Sequence, residues 1–183
     1  YAAGRAALEQ SLALFRGLGD MIGAADSLLD LADIAAFEGS ERVAAALYAE
    51  ARAAYEQGLP ALRARGDHWT LARSLNCLGE IARSEDDHAA AQRFYEESLA
   101  VRRTLGDQRG VAVTLFNLGQ VLLGQGDGQQ ATDFYLESLA LSRTLGDQRG
   151  LPDCLVGLGG AAAITGQPER AARLFGAAEI LYQ

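Results

Sequence analysis

Apolar residues recur along this chain at helical spacing and almost nowhere in strict alternation. Within Val111–Gly150, Leu115, Leu118, Val121 and Leu122 fall three or four positions apart, on one face of a helix. Gly124–Asp127 interrupts the pattern, and a second stripe follows through Ala131, Phe134, Tyr135, Ser138, Leu139 and Leu141. Leu145-Gly146-Asp147 closes it. A Gly suits the left-handed residue that ends a helix, and an Asp suits the N-cap of the next. The same Gly-Asp punctuation stands at Gly19-Asp20, Gly66-Asp67 and Gly106-Asp107. With Ala and Leu dominant and period-two alternation missing, the pattern predicts helix pairs and argues against strands.

The pairs repeat. Leu71–Gly110 and Val111–Gly150 align over 40 residues with half the positions identical, and both end in RTLGDQRG. Leu151–Gln183 begins a further copy, and residues 24–70 hold a more diverged one, with about seven extra residues near Gln57–Arg65. Pro60 within that stretch predicts a break or a new helix start. Residues 1–23 match only the second half of a unit, since RGLGDMIG aligns with RTLGDQRG. The organisation expected is one array: a truncated repeat at 1–23, then repeats at 24–70, 71–110, 111–150 and 151–183. A start in mid-repeat points to a piece of a longer protein.

Small residues stand at fixed places. Gly79, Gly119 and Gly159, with Ala32 in the diverged copy, follow a Leu in the first helices. Ala44, Ala91, Ala131 and Ala171 lie early in the second helices, with Tyr48, Tyr95, Tyr135 and Phe175 four residues later. Paired small residues let two helices approach closely, and the aromatics fill the groove beside them. Leu-Gly, then Ala, then an aromatic four residues on resembles the tetratricopeptide repeat (TPR). The 40-residue period with LGDxxG between units resembles the long-helix class found in kinesin light chains and many bacterial regulators. The last segment, QPERAARLFGAAEIL, resembles the C-terminal TPR region of MalT- or LuxR-like transcription regulators and bacterial signal-transduction ATPases.

This resemblance implies an all-α fold, a right-handed α-α superhelix in which antiparallel pairs stack to bury apolar faces that one pair cannot bury alone. It also implies a concave surface formed by the first helices, suited to a peptide or a partner helix. Carrying the TPR groove positions over gives Asp26, Leu29, Asp30, Asp33 and Phe37, then Arg73, Asn76, Glu80 and Arg83. Phe116, Asn117, Gln120 and Leu123 follow, and finally Asp153 and Val156. The groove so placed is acidic at one end, Arg-bearing in the middle and apolar toward the C-terminus. It calls for a partner with basic residues near Asp26, Asp30 and Asp33 and an apolar anchor near Phe116 and Leu123. The bland readings are a solvated face for the three acids and packing against the next repeat for Phe116 and Leu123. Related repeats often place Asn after Leu-Gly, where this chain has Glu80, Gln120 and Gly160, and carboxylate clamps use Lys, which is missing here.

Composition narrows the function. Apolar residues make up 49% of 183, enough for a folded core. The net charge of −8 repels phosphate backbones, so nucleic acid is not an expected partner. The longest uncharged runs are shorter than the roughly 20 residues of a membrane span, and no signal peptide opens the chain. Cys77 and Cys154 lack metal-type spacing and suit a reducing, cytoplasmic setting. His68 and His88 lie apart, in expected turns, with no metal-ligand motif. No nucleophile motif or phosphate loop occurs, and Gly157–Gly160 reads as helix packing.

These readings lead to a non-enzymatic module without metal or cofactor, binding a protein or peptide that could be another module of the same polypeptide. The leading expectation is the sensor or interaction region of a larger bacterial regulatory protein. The alternatives are a standalone TPR adaptor and a receptor for a small effector in the concave surface. The N-terminal half-repeat adds a further expectation, a homodimer sealed through a sticky stripe of Leu8, Leu12 and Phe15.

Overall fold

The computed structural model describes residues 2–182, which hold nine α-helices and no strand. They are α1 (Ala2–Leu18), α2 (Met21–Phe37), α3 (Glu41–Arg65), α4 (His68–Ser84), α5 (His88–Leu105), α6 (Gln108–Gly124), α7 (Gly128–Leu145), α8 (Gly150–Ile164) and α9 (Pro168–Leu181). The chain forms two compact units, Tyr1–Ile81 and Ala82–Gln183, with α4 running across the division. In the first unit α2 packs against both α1 and α3; in the second, α5 to α9 pack in sequence and α6 also meets α8.

Two residues connect α1 to α2, α3 to α4 and α5 to α6, and four connect α7 to α8. Gly66, at φ +69°, donates its N–H to the Arg63 carbonyl, and Asp67 N–H reaches back to Leu62, which closes α3. The Asp67 carboxylate then accepts from Thr70 N at 3.1 Å and opens α4. Gly106-Asp107 repeats the arrangement, with Asp107 accepting from Gly110 N at 2.9 Å. Gly110 ends the LGDQRG run for a separate reason. A Cβ there would lie 1.7 Å from Arg102 Nη1, which is bonded to the Asp107 carboxylate at 3.1 Å. Within the hairpins the left-handed residue is Gly39, Gly126 or Gly166, but Asp86 takes that place at φ 59°.

The extra residues of the diverged copy do not form a loop. They lengthen α3 to 25 residues where α5 and α7 have 18. Seven residues are within a fraction of two turns, so the buried face continues without a twist. Ala51, Tyr55 and Leu59 are buried as Ala91, Tyr95 and Leu99 are, forty residues on. Tyr55, not Tyr48, is therefore the fully buried aromatic of this helix, and relative to the following repeats the added turns lie at its start. Pro60 does not break the helix. It faces solvent, where water can satisfy the carbonyl it leaves unpaired, while Leu59 and Leu62 on the inner face hold the backbone in place.

The predicted sticky stripe of α1 is likewise corrected. Leu12 is buried, Leu8 and Phe15 are half-buried, and the Phe15 ring covers Gly23 of α2, where a Cβ would meet it at 2.5 Å. α2 has thus already covered that face, and the large apolar residues that the described part of α1 leaves exposed are Leu14 and Leu18. Tyr1 lies outside the described residues. His68 and His88 are the first residues of α4 and α5, not turn residues, each following an Asp that opens the helix.

Candidate functional site

The acidic end of the expected groove lies in the first unit, and much of it is engaged internally. Asp26 accepts from the Tyr55 hydroxyl at 2.6 Å and from Arg73 Nη1 at 2.7 Å. Asp33 accepts from Tyr48 at 2.7 Å. Asn76 is buried and donates to Glu80 at 2.8 Å. Asp30, one turn from each of the other acids, makes no hydrogen bond among the described residues. Burial holds its carboxyl above the usual range, with the charges of Asp33 and Asp26 adding to the effect. The Cys77 thiol, beside Tyr55, is pushed up to about 12, chiefly by burial. A cleft of about 830 Å3 is lined by Asp26 and Arg73 together with Phe15, Met21, Gln57 and Arg65. Asp30, Asp33, Asn76 and Glu80 do not line it.

The second unit gathers the rest. Arg83, Phe116, Gln120 and Leu123 line a single cleft of about 630 Å3, and Asp153 and Val156 of α8 face it as well. Asn117 is buried and stands outside it. Phe116 is half-buried, its ring tilted 55° to that of Tyr135 with centroids 5.6 Å apart. Leu123 packs over Gly160, where a Cβ would sit 3.0 Å from it. Both residues therefore pack against their neighbours and also present a wall to the cleft. Arg83 has no ion pair among the described residues.

Sequence reasoning missed three aromatic contributors and the glycines around them. Tyr135 reaches the cleft between Gly119 and Gly157, whose missing Cβ atoms would stand 2.7 and 2.5 Å from its ring. Gly157 follows Cys77 and Asn117 at the same repeat position, so the loss of a side chain there was readable but had no evident meaning. Phe175 and Tyr182 line the far side, Tyr182 donating to the Asp153 carboxylate. Gly159 meets Phe175 as Gly119 meets Tyr135, as the small-residue pattern predicted.

These features define an all-α helical-repeat protein of the solenoid class. Residues 70–144 match the tetratricopeptide repeat family. No curated protein matches the sequence. Among solved structures, BtubC (BKLC) from P. vanneervenii is similar at 18% identity, covering 99% of this chain and 90% of that one, with a TM-score of 0.67. The nearly identical TPR-like repeats of a kinesin-light-chain candidate from Podosopora anserina share 18% identity over 95% of this chain and 82% of theirs, with a TM-score of 0.64. MamA shares 17% over 99% of this chain and 93% of its own, with a TM-score of 0.57. At such identities the likeness is one of fold, and the fold is the expected TPR-like one. Among the described residues no cluster of three His, Cys, Asp or Glu side chains could hold a metal ion. Among the described residues, no helix is long and apolar enough to cross a membrane.

Proposed function

We propose that this chain is a protein- or peptide-binding module and that the cleft of its second unit is the recognition surface. One observation carries the reading. Arg83, Phe116, Gln120 and Leu123 come from two helices, α4 and α6, yet they converge on one opening beside Val156. An aromatic wall with a few polar groups at its rim is the composition that concentrates binding energy. Asp30 and Asp33 in the first unit supply a separate acidic patch suited to basic residues.

The resemblance of Gln167–Leu181 to bacterial regulators supports a sensor or interaction region within a larger signalling or transcription-regulating protein. The repeats themselves support a standalone adaptor equally. The two thiols, one buried and one half-buried, suit a cytoplasmic setting. The test is selection from a random displayed-peptide library on the immobilised chain. Selected peptides should lose at least about tenfold in affinity on Phe116→Ala or Val156→Arg, as truncating or blocking an interface anchor does. Leu136→Arg, on an exposed side chain that does not line the cleft, should leave binding intact. Peptides that bind all three variants as they bind the wild type would refute the assignment.

A further inference from the structure

Tyr55, Tyr95 and Tyr135 share one register at 40-residue intervals, and none is more than 1% exposed. Their surroundings differ. Tyr55 donates to Asp26 and lies against the Cys77 thiol. The place Cys77 holds in its repeat is Asn117 in the next and Gly157 in the one after. Gly157 offers no side chain, and the Tyr135 hydroxyl has no hydrogen-bond partner among the described residues although it lines the cleft. The hydroxyl opens into the cleft, where an acceptor on a bound partner can take its hydrogen bond. The ring is already fixed for that role, held between Gly119 and Gly157. Burial keeps the phenol protonated, so the hydroxyl is available as a donor.

Charge specifies the acceptor. Arg83 lines the same cleft with no ion pair of its own and is close enough to Tyr135 to act on it electrostatically. The acid of the cleft, Asp153, is occupied by the Tyr182 hydroxyl. On a chain of net charge −8, this cleft presents an uncommitted cation and an uncommitted donor side by side, next to an apolar wall. We propose that the cleft takes a segment of another protein in which an Asp or Glu neighbours a large apolar side chain. The carboxylate is held between Arg83 and the Tyr135 hydroxyl, and the apolar side chain rests on Phe116, Leu123 and Val156. This rests on the reading of the cleft as a peptide site and adds to it the partner's chemistry.

The same displayed library, whose peptides have no free C-terminus, tests the idea. Enriched sequences should carry an acidic residue within three positions of Phe, Leu, Tyr, Trp or Met. A synthetic copy of the most enriched peptide should bind at least about tenfold more weakly to Arg83→Gln, which removes the charged partner of the carboxylate. Tyr135→Phe removes no hydrogen bond within the chain, so it should keep the wild-type melting temperature while weakening that peptide about fivefold or more. Enriched peptides that are basic or have no acidic bias, or acidic ones indifferent to both variants, would overturn the proposal. So would a dimer that Val156→Arg dissolves, because the occupant would then be a second copy. The two readings can fail separately. If nothing binds, the peptide site itself falls; if binding is lost on Val156→Arg but shows no acid preference, only this inference falls.

Discussion

Adding one methyl group at Gly157 should destabilise the protein, although alanine is the better helix former. The ideal Cβ lies 2.5 Å from both Cε1 and Cζ of Tyr135, well inside contact distance. The ring cannot slide away, because on its other side it already fills the space over Gly119, where a Cβ would meet it at 2.7 Å. Forcing a carbon into such a place costs about 1–3 kcal/mol. The gain in helix propensity returns at most about 1 kcal/mol. The net loss of up to about 2 kcal/mol corresponds to a fall in melting temperature of roughly 2–8 °C for a chain of this size. Gly176 of α9 provides the contrast, since a Cβ there meets nothing within 4 Å. Gly176→Ala should therefore stabilise by about 0.5–1 kcal/mol. Thermal unfolding followed by circular dichroism reads both, and the double variant Tyr135→Leu/Gly157→Ala should recover the alanine penalty measured against Tyr135→Leu alone. A Gly157→Ala protein as stable as the wild type would refute the packing described for the Tyr135 ring.

Other consequences follow from single contacts. Asp127 accepts from Gln130 N at 3.0 Å as the N-cap of α7, so Asp127→Ala should cost about 1 kcal/mol in urea unfolding. Asp86 is the one non-glycine residue at positive φ among the described residues, and Asp86→Gly should gain about 0.5–1 kcal/mol in the same assay. Because the Asp30 carboxyl titrates above its ordinary value, its charged form disfavours the folded state. That penalty is complete above the raised pKa and disappears as the pH falls toward the unfolded value, so Asp30→Asn should be the more stable protein at neutral pH and lose its advantage below about pH 3.5. With the Cys77 thiol at about 12 and the Cys154 thiol also raised by burial, iodoacetamide at about pH 8 should label neither cysteine until urea is added.

The sequence revealed helices more readily than it revealed register. Gly-Asp pairs and the stripe of Leu118, Val121 and Leu122 depend on local backbone chemistry, so the turns and helix faces could be read directly. The lengthened α3 could not be placed, because seven residues come so close to two turns that Ala44 and Ala51 both satisfy the pattern and both are buried. Pro60 misled for a related reason, since its effect depends on which side of the helix faces water. The Leu8, Leu12 and Phe15 stripe was recognised, but whether α2 covers it is a tertiary fact. Of the groove residues, Arg83, Phe116, Gln120 and Leu123 were placed together because repeat position fixes direction. Asn76 and Asn117 sit at similar positions but are buried, and the internal engagement of Asp26 depends on Tyr55 and Arg73 arriving from α3 and α4. Tyr135 read as core, which it is, and only the neighbouring glycine turns its hydroxyl into part of the cleft.

The central claim, that the cleft of the second unit is the recognition surface, is tested most directly by mapping a library-selected peptide onto the 15N-labelled protein by amide chemical-shift perturbation. The account predicts that the largest shifts cluster at Phe116, Gln120, Leu123, Val156 and Gly157. Shifts confined to the outward residues of α5 and α7, with those five unmoved at saturation, would contradict it.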